Sequence, residues 1–350
     1  MLSKAEIYQF ELPLNQTIRM FGKTFNSRKG LLLYLYDDKG NIGVGECMPI
    51  YGLNPETLEQ AESELIQRIK NFKFKSPVKS VEYALDSAIF QLNNNFKSKI
   101  SKIFTNGSSV VNIQALISSN SNDLDNQLKY IFDNKFDRVK LKIGDNSIDN
   151  DIYIINKIIS KSKNNFKLRL DANKKLSLIN AIKLIDSIDK TKIEYIEEPL
   201  INNQELNRFY QQTNVKIALD ESLYEVLHIN QYDKYDGVST YIIKPNIWGS
   251  LGKIYTLLIL AQKNNINTVF SSPFESGFGV YWQSIVNKLF SNSNISMGLD
   301  TYKYLGDDIL IEKLNYHKNQ LILKETNSIP SLINKDKLTL ILEHSFPKDF

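Results

Sequence analysis

Charge falls at regular places in the middle of this chain. Lys140 and Lys142, Asp171, Glu197 with Glu198, Asp220 with Glu221, and then Lys244 each close a short apolar run. A single charge in such a place is ordinarily a helix N-cap or half of a surface ion pair. Successive runs ending this way, in order, suggest a shared chemistry. Asp171, Glu197 and Asp220 come from three consecutive runs. Three carboxylates brought into one pocket repel one another unless a cation sits among them. An all-oxygen ligand set selects a hard cation, Mg²⁺ first and Mn²⁺ second. Lys140 and Lys142 are two positions apart, so on a strand they share one face. Lys244 would approach from the opposite side. A lysine crowded by a second ammonium and by a cation has its charged form disfavoured, so its pKa falls toward the range a general base needs. The expected reaction is removal of the proton next to a carboxylate, with the metal neutralising the enediolate that forms.

The elements that must carry these groups are legible as short runs at 110–117, 137–143, 166–172, 193–199, 215–221, 237–245, 267–273 and 295–300. Their spacing is that of one strand plus one helix and its loops. The intervening segments carry helical periodicity. Ser250, for example, can cap a helix with Leu251, Ile254, Leu257, Leu258 and Ala261 on one stripe. Eight strands alternating with helices predict a parallel (β/α) barrel, whose functional groups stand at the C-terminal strand ends. A doubly wound sheet would instead place a Gly-rich phosphate loop after an early strand. Gly43-Val44-Gly45 lies elsewhere, in an N-terminal hairpin signalled by Asp38-Lys39-Gly40 between runs at 30–36 and 41–47. A strand at 5–12 and helices over 56–72 and 79–96 complete a small α+β unit there.

Composition excludes other classes. The formal net charge is +4, from 43 basic and 39 acidic residues, too balanced for a phosphate-tracking nucleic-acid binder. Cys47 is the single cysteine, so no intramolecular disulfide forms. His228, His317 and His344 stand far apart, which speaks against a histidine-built zinc site. The N-terminus does not read as a signal peptide, and no window is apolar enough to span a membrane. The polar tract 118–127 fits one loop. A soluble cytoplasmic protein is expected, with a small-molecule carboxylate as partner and a homo-oligomer left open.

The runs VKLKIG, LRLDAN, YIEEP, ALDES and IIKPN together resemble the enolase superfamily, muconate-lactonizing subgroup. The resemblance covers nearly the whole chain, including GVGECMPIYGLNPET, which is similar to the mobile substrate loop of that family's capping domain. It implies a modified (β/α)7β TIM-type barrel over 106–310. The α+β capping domain would occupy 1–105 and be completed by the C-terminal segment 311–350. It also implies Lys142 as the base, Lys140 as its electrostatic neighbour and Lys244 opposite, with Asp171, Glu197 and Asp220 on the metal and Glu198 behind them.

Several activities of the subgroup share these residues: o-succinylbenzoate synthase, N-succinylamino acid racemase, dipeptide epimerase and muconate cycloisomerase. SSPFESGFG at 271–279 and GLDTYKYL at 298–305 resemble the synthase family, which implies a metal-dependent hydro-lyase of menaquinone biosynthesis. Dipeptide epimerases carry a paired-acid signature where this chain has Asp300-Thr301. Arg169 matches a synthase substrate contact. Asn173 could polarise a site water. Ser271, Ser272, Glu275 and Gly298 lie where a succinyl tail would be held, and the first three could equally form a structural turn. Phe21 and Arg28 flank an expected flexible loop. Cys47 and Trp248 are expected in packing.

Overall fold

The computed structural model describes residues 1–71, 75–93, 95–105, 109–118, 123–162, 166–225, 235–291, 294–326 and 328–347. His228, and residues 119–122 of the polar tract, lie outside them. The N-terminal strands are β1 (Leu2–Met20), β2 (Lys23–Asp37) and β3 (Ile42–Cys47), followed by helices α1 (Leu58–Lys70), α2 (Lys79–Leu92) and α3 (Phe96–Thr105). The helix expected over 79–96 ends at Leu92, and a separate helix begins at Phe96. Next come β4 (Val110–Asn112), β5 (Ala115–Ser118), α4 (Leu124–Asp133), β6 (Arg138–Lys142), α5 (Ile148–Lys161), β7 (Lys167–Asp171), α6 (Leu178–Asp186) and β8 (Ile193–Glu197). They continue with α7 (Leu206–Thr213), β9 (Ile217–Leu219), α8 (Glu221–Glu225), β10 (Val238–Ile243), α9 (Pro245–Trp248), α10 (Leu251–Lys263), β11 (Asn267–Phe270) and α11 (Gly277–Phe290). The C-terminal part adds β12 (Asn315–His317), β13 (Gln320–Ile322) and β14 (Thr339–Ser345).

A seven-stranded parallel sheet runs in the order β11-β10-β9-β8-β7-β6-β5. Its two edges meet at Met297 and Gly298. Met297 bridges Ile113 and Gly298 bridges Ser271, both in parallel. Each strand has a period-two pattern that sets its faces. Val139, Leu141, Leu168, Leu170, Ile196, Ile217, Leu219, Tyr241, Ile243 and Phe270 belong to the large core that includes the outer helices. Tyr195, Ala218, Ile242 and Val269 form a separate inner cluster. Each aliphatic side chain buried this way contributes about 1.5–3 kcal/mol. The inward positions one step beyond the inner cluster are Glu197, Asp220, Lys244 and Ser271, so the apolar interior gives way to charge at the C-terminal strand ends. Serine caps hold the flanking helices: Ser147, Ser177, Ser250 and Ser276 each accept a backbone N–H at the start of α5, α6, α10 and α11.

The run expected as one strand over 110–117 is two. Val110–Asn112 pairs with β13, while Ala115–Ser118 pairs with β6. The N-terminal strands form an antiparallel sheet in the order β14-β1-β2-β3, with Lys4 opposite Ser345. Helix α2 lies directly on β3. A Cβ built on Gly43 or Gly45 would stand 1.9 Å from the carbonyl oxygen of Ala88 or Ala84. Those two glycines are a packing requirement, not a phosphate loop. The β1–β2 ribbon extends over the barrel, where Pro13 O accepts from Gly306 N at 2.7 Å.

Candidate active site

Adjacent parallel strands place the charges side by side. Lys142 on β6 is in register with Asp171 on β7, and Asp171 with Glu197 on β8. Asp220 follows the end of β9, and Lys244 follows the end of β10. All but Lys142 are buried, Glu197 and Asp220 completely. Lys140 Nζ donates to both oxygens of Glu197 at 2.8 Å and pairs with Asp171 Oδ2 at 2.8 Å. Lys244 Nζ pairs with Asp220 Oδ2, and its backbone N–H donates to Tyr224 Oη at 3.0 Å. Lys142, partly exposed at the mouth, makes no hydrogen bond or ion pair among the described residues.

These surroundings tune the three lysines in different directions. Burial drives the pKa of Lys142 down. The Asp171 carboxylate opposes this, and the Lys140 and Lys244 ammoniums reinforce it. Burial also acts against charge on Lys140, but Asp171 and Glu197 outweigh it and hold its pKa well above the ordinary value. Lys244 is likewise raised, because Asp220 and Glu221 outweigh its burial. Among the carboxylates, burial and the neighbouring Asp171 push Glu197 well up, while Asp171 is lowered because its lysine partners overcome desolvation.

The three carboxylates take ammonium partners and are not drawn into a single cage. Among the described residues no three His, Cys, Asp or Glu side chains stand in the close array that grips an ion. The donor set nevertheless fits a hard cation. It is all oxygen, and buried Asp220 Oδ1 and Glu221 Oε2 have no hydrogen-bond partner among the described residues. Glu221, given no role from the sequence, joins this group: its Oε1 accepts from Asn173 Nδ2 at 2.9 Å. The adjacent acids in ALDES were the available signal. Asn173 N–H donates to Asp171 Oδ1 at 3.1 Å, so Asn173 ties two acids together.

Other expected contacts stand elsewhere. Arg169, two residues down the strand from Asp171, is sealed in the barrel floor and only 1% exposed. It donates to Glu194 at 3.1 Å, to Gln114 Oε1 at 2.5 Å and to Ser296 O at 2.8 Å, and it stacks 5.1 Å from the Tyr195 ring. Its guanidinium is held in an ion pair with Glu194. Ser272 and Glu275 form the structural turn: Glu275 N–H donates to Ser272 Oγ at 3.2 Å and its carboxylate accepts from Gln283 Nε2 at 2.8 Å. Burial pushes Glu275 up to about 7. Ser271 and Gly298 face each other, and a Cβ on Gly298 would stand 2.8 Å from Ser271 Oγ. Arg28, expected on a flexible loop, is buried and donates to the carbonyls of Met48, Pro49 and Phe274 at 3.1–3.3 Å. It therefore ties the N-terminal sheet to the loop after β11. Phe21 remains 48% exposed, and Cys47 and Trp248 are buried in packing.

Residues 123–327 match the family described as enolase C-terminal domain-like, and residues 2–92 match the MenC N-terminal domain. The chain belongs to the enolase superfamily. Within that superfamily it is similar to o-succinylbenzoate synthases. It is 24% identical to that of an Enterobacter species over 314 residues, covering 87% of this chain and 93% of the relative. It is 28% identical to that of Aliivibrio salmonicida over 311 residues, covering 86% and 90%. The solved dipeptide epimerase of Cytophaga hutchinsonii, complexed with Mg and the dipeptide D-Ala-L-Val, shares the fold. The two have a TM-score of 0.80 at 17% identity, over 97% of this chain and 99% of that one. This superfamily member is accordingly an α/β barrel with a separate capping unit. No helix among its described residues is long and apolar enough to cross a membrane.

Proposed function

We propose that this chain dehydrates 2-succinyl-6-hydroxy-2,4-cyclohexadiene-1-carboxylate to o-succinylbenzoate, a step of menaquinone biosynthesis. The observation that carries this reading is the opposite tuning of the two facing lysines. Lys142 has no hydrogen bond or ion pair among the described residues and its pKa is lowered, while Lys244 Nζ is paired with Asp220 and its pKa is raised. One base and one fixed cation suit an elimination on a single face of the ring. Inversion of an amino-acid centre needs both lysines to alternate as bases.

The similarity to synthases over most of the chain supports the same choice. So does Asp300, at the exit of the Met297-Gly298 segment. Its carboxylate accepts from Lys303 Nζ at 2.5 Å, Tyr130 Oη at 2.8 Å and Leu116 N at 2.8 Å. A lysine already neutralises the acid that would otherwise grip a dipeptide's ammonium.

In this mechanism Lys142 Nζ takes the proton from the carbon bearing the carboxylate. Charge builds on the carboxylate oxygens, and the Lys244 ammonium stabilises it from across the ring by charge and cation–π contact. Lys142, now protonated, gives its proton to the departing hydroxyl, which leaves as water. Asp171, Glu197 and Asp220 would hold Mg²⁺, with Mn²⁺ as a substitute, and such an ion supplies Lewis-acid stabilisation of the substrate carboxylate. Lys140 keeps Asp171 and Glu197 in place and its positive charge near Lys142.

The same reading takes the catalytic unit as a modified (β/α)7β barrel over 106–310, counting Met297-Gly298 as the eighth stave. It takes the cap as 1–105 completed from 311–350, the location as cytoplasmic and the partner as a small carboxylate.

The test is conversion of the cyclohexadiene substrate by the purified protein. Activity should vanish with a chelator and return with added Mg²⁺; no conversion with Mg²⁺ present overturns the reading. A parallel incubation of N-succinyl amino acids in D₂O, followed by proton NMR, detects the racemase alternative as exchange at the α-carbon.

A further inference from the structure

We infer that Glu198 is a positioning residue that sets the spacing of the three carboxylates, acting as a hub between their strand ends. The inference rests on the metal-site reading above. Glu197 turns into the barrel, so its neighbour Glu198 points the other way. It is nevertheless buried, at 1% exposure. Its φ is +42°, a conformation that a non-glycine residue keeps only where its surroundings over-determine it.

Those surroundings are the ends of all three strands. The Glu198 backbone N–H donates to Ala218 O at 3.1 Å, and its carbonyl accepts from Lys174 N at 2.8 Å. Lys174 and Asn173 also have positive φ, and they form the turn that follows Asp171. The Glu198 carboxylate reaches across to β9: Oε1 accepts from Asp220 N at 2.6 Å and Ser222 N at 2.8 Å, and Oε2 accepts from Ser222 Oγ at 2.6 Å. One residue thus fixes the backbone that bears Asp171, continues the one that bears Glu197, and clamps the one that bears Asp220.

The test is Mn²⁺ binding without substrate, read by calorimetric titration and by the electron-spin signal of the free ion. Thermal unfolding of each variant without metal is measured in parallel. Wild type should bind Mn²⁺ and Asp220→Ala should not. Glu198→Ala should weaken binding about tenfold or more, the usual cost of removing a partner that orients a ligand. Glu198→Gln should stay within about threefold of wild type, because one oxygen still accepts both N–H groups and the Ser222 hydroxyl can reverse to accept from the amide. A purely structural role would lower the unfolding temperature of Glu198→Ala and leave its Mn²⁺ affinity intact, which overturns the inference. Equal losses for Gln and Ala also overturn it. If Glu198→Ala does not fold, Ser222→Ala decides: a severalfold loss of Mn²⁺ affinity supports the hub, and no change overturns it. A wild type that binds no Mn²⁺ overturns the metal-site reading itself, and this inference with it.

Discussion

Two lysines on one strand, Lys140 and Lys142, have their pKa values pushed in opposite directions because they sit at different places in one charge array. Lys140 is matched by two carboxylates, whereas Lys142 has no such partner and feels two ammoniums. Lys142 must be neutral to accept a proton, so kcat/KM should rise with pH through its depressed pKa, which lies below the ordinary lysine value of 10.5. Lys140→Arg should preserve that acidic limb. Lys140→Met should move it to higher pH, because a repelling charge is gone. A pH–rate profile of the three proteins checks both shifts. Lys142→Ala should lower kcat by about 10²–10⁴, the range for loss of a general base. Full activity in that variant would mean that another group takes the proton. At this scale the sequence was most readable for the charges on strand ends and least readable for arginines. Arg169 shares the inward face with Asp171 but lies one pleat pair deeper, and composition cannot tell floor from mouth. Arg28 is buried by a fold-back that only the tertiary structure supplies.

Elements show the same division. Short apolar runs at the spacing of one strand plus one helix predicted the barrel strands, because each strand is covered on one face by helices and on the other by the barrel interior. The 110–117 run misled because its apolar pattern crosses a change of sheet at Ile113-Gln114, and each half is apolar for a different reason. The helix over 79–96 ends early, since no local residue announces the stop at Leu92. Gly43 and Gly45 carry their reason in the packing of α2. Gly45→Ala should shift or expel that helix and cost about 1–3 kcal/mol, as overpacking does. Urea unfolding of the isolated variant reads this directly, and stability equal to wild type would mean that α2 moves freely on β3.

Across the whole molecule, the two ends of the chain are joined by charge as well as by strand pairing. Burial alone would raise Glu6, but Lys4, Tyr36, Lys335 and Tyr8 bond its carboxylate and lower it to about 2. Lys335 also lies 4.5 Å from the Tyr34 ring and 5.0 Å from that of Tyr8. A lowered carboxyl pKa stabilises the fold in full above the ordinary glutamate value. That contribution disappears as pH falls toward about 2. Glu6→Gln should therefore lose stability at neutral pH and show a flatter decline of unfolding temperature between about pH 5 and pH 2. An unchanged acid limb would exclude this cluster as its source. Mg²⁺ should raise the unfolding temperature of the wild type in proportion to the logarithm of its concentration above Kd, and Asp220→Ala should not respond.

The pairing of Lys4 with Ser345 also bears on how the chain is born. Synthesis delivers β1 well before its edge partner β14, and every barrel strand is made between them. Joining segments so far apart in sequence carries a large loop-closure entropy unless the intervening barrel has already folded and brought them together. Until then the β1 edge offers open N–H and C=O groups to any passing strand. Vectorial synthesis thus makes the barrel the template on which the cap is finished, and pulse-labelled hydrogen exchange during refolding should find β6–β8 protected before β14.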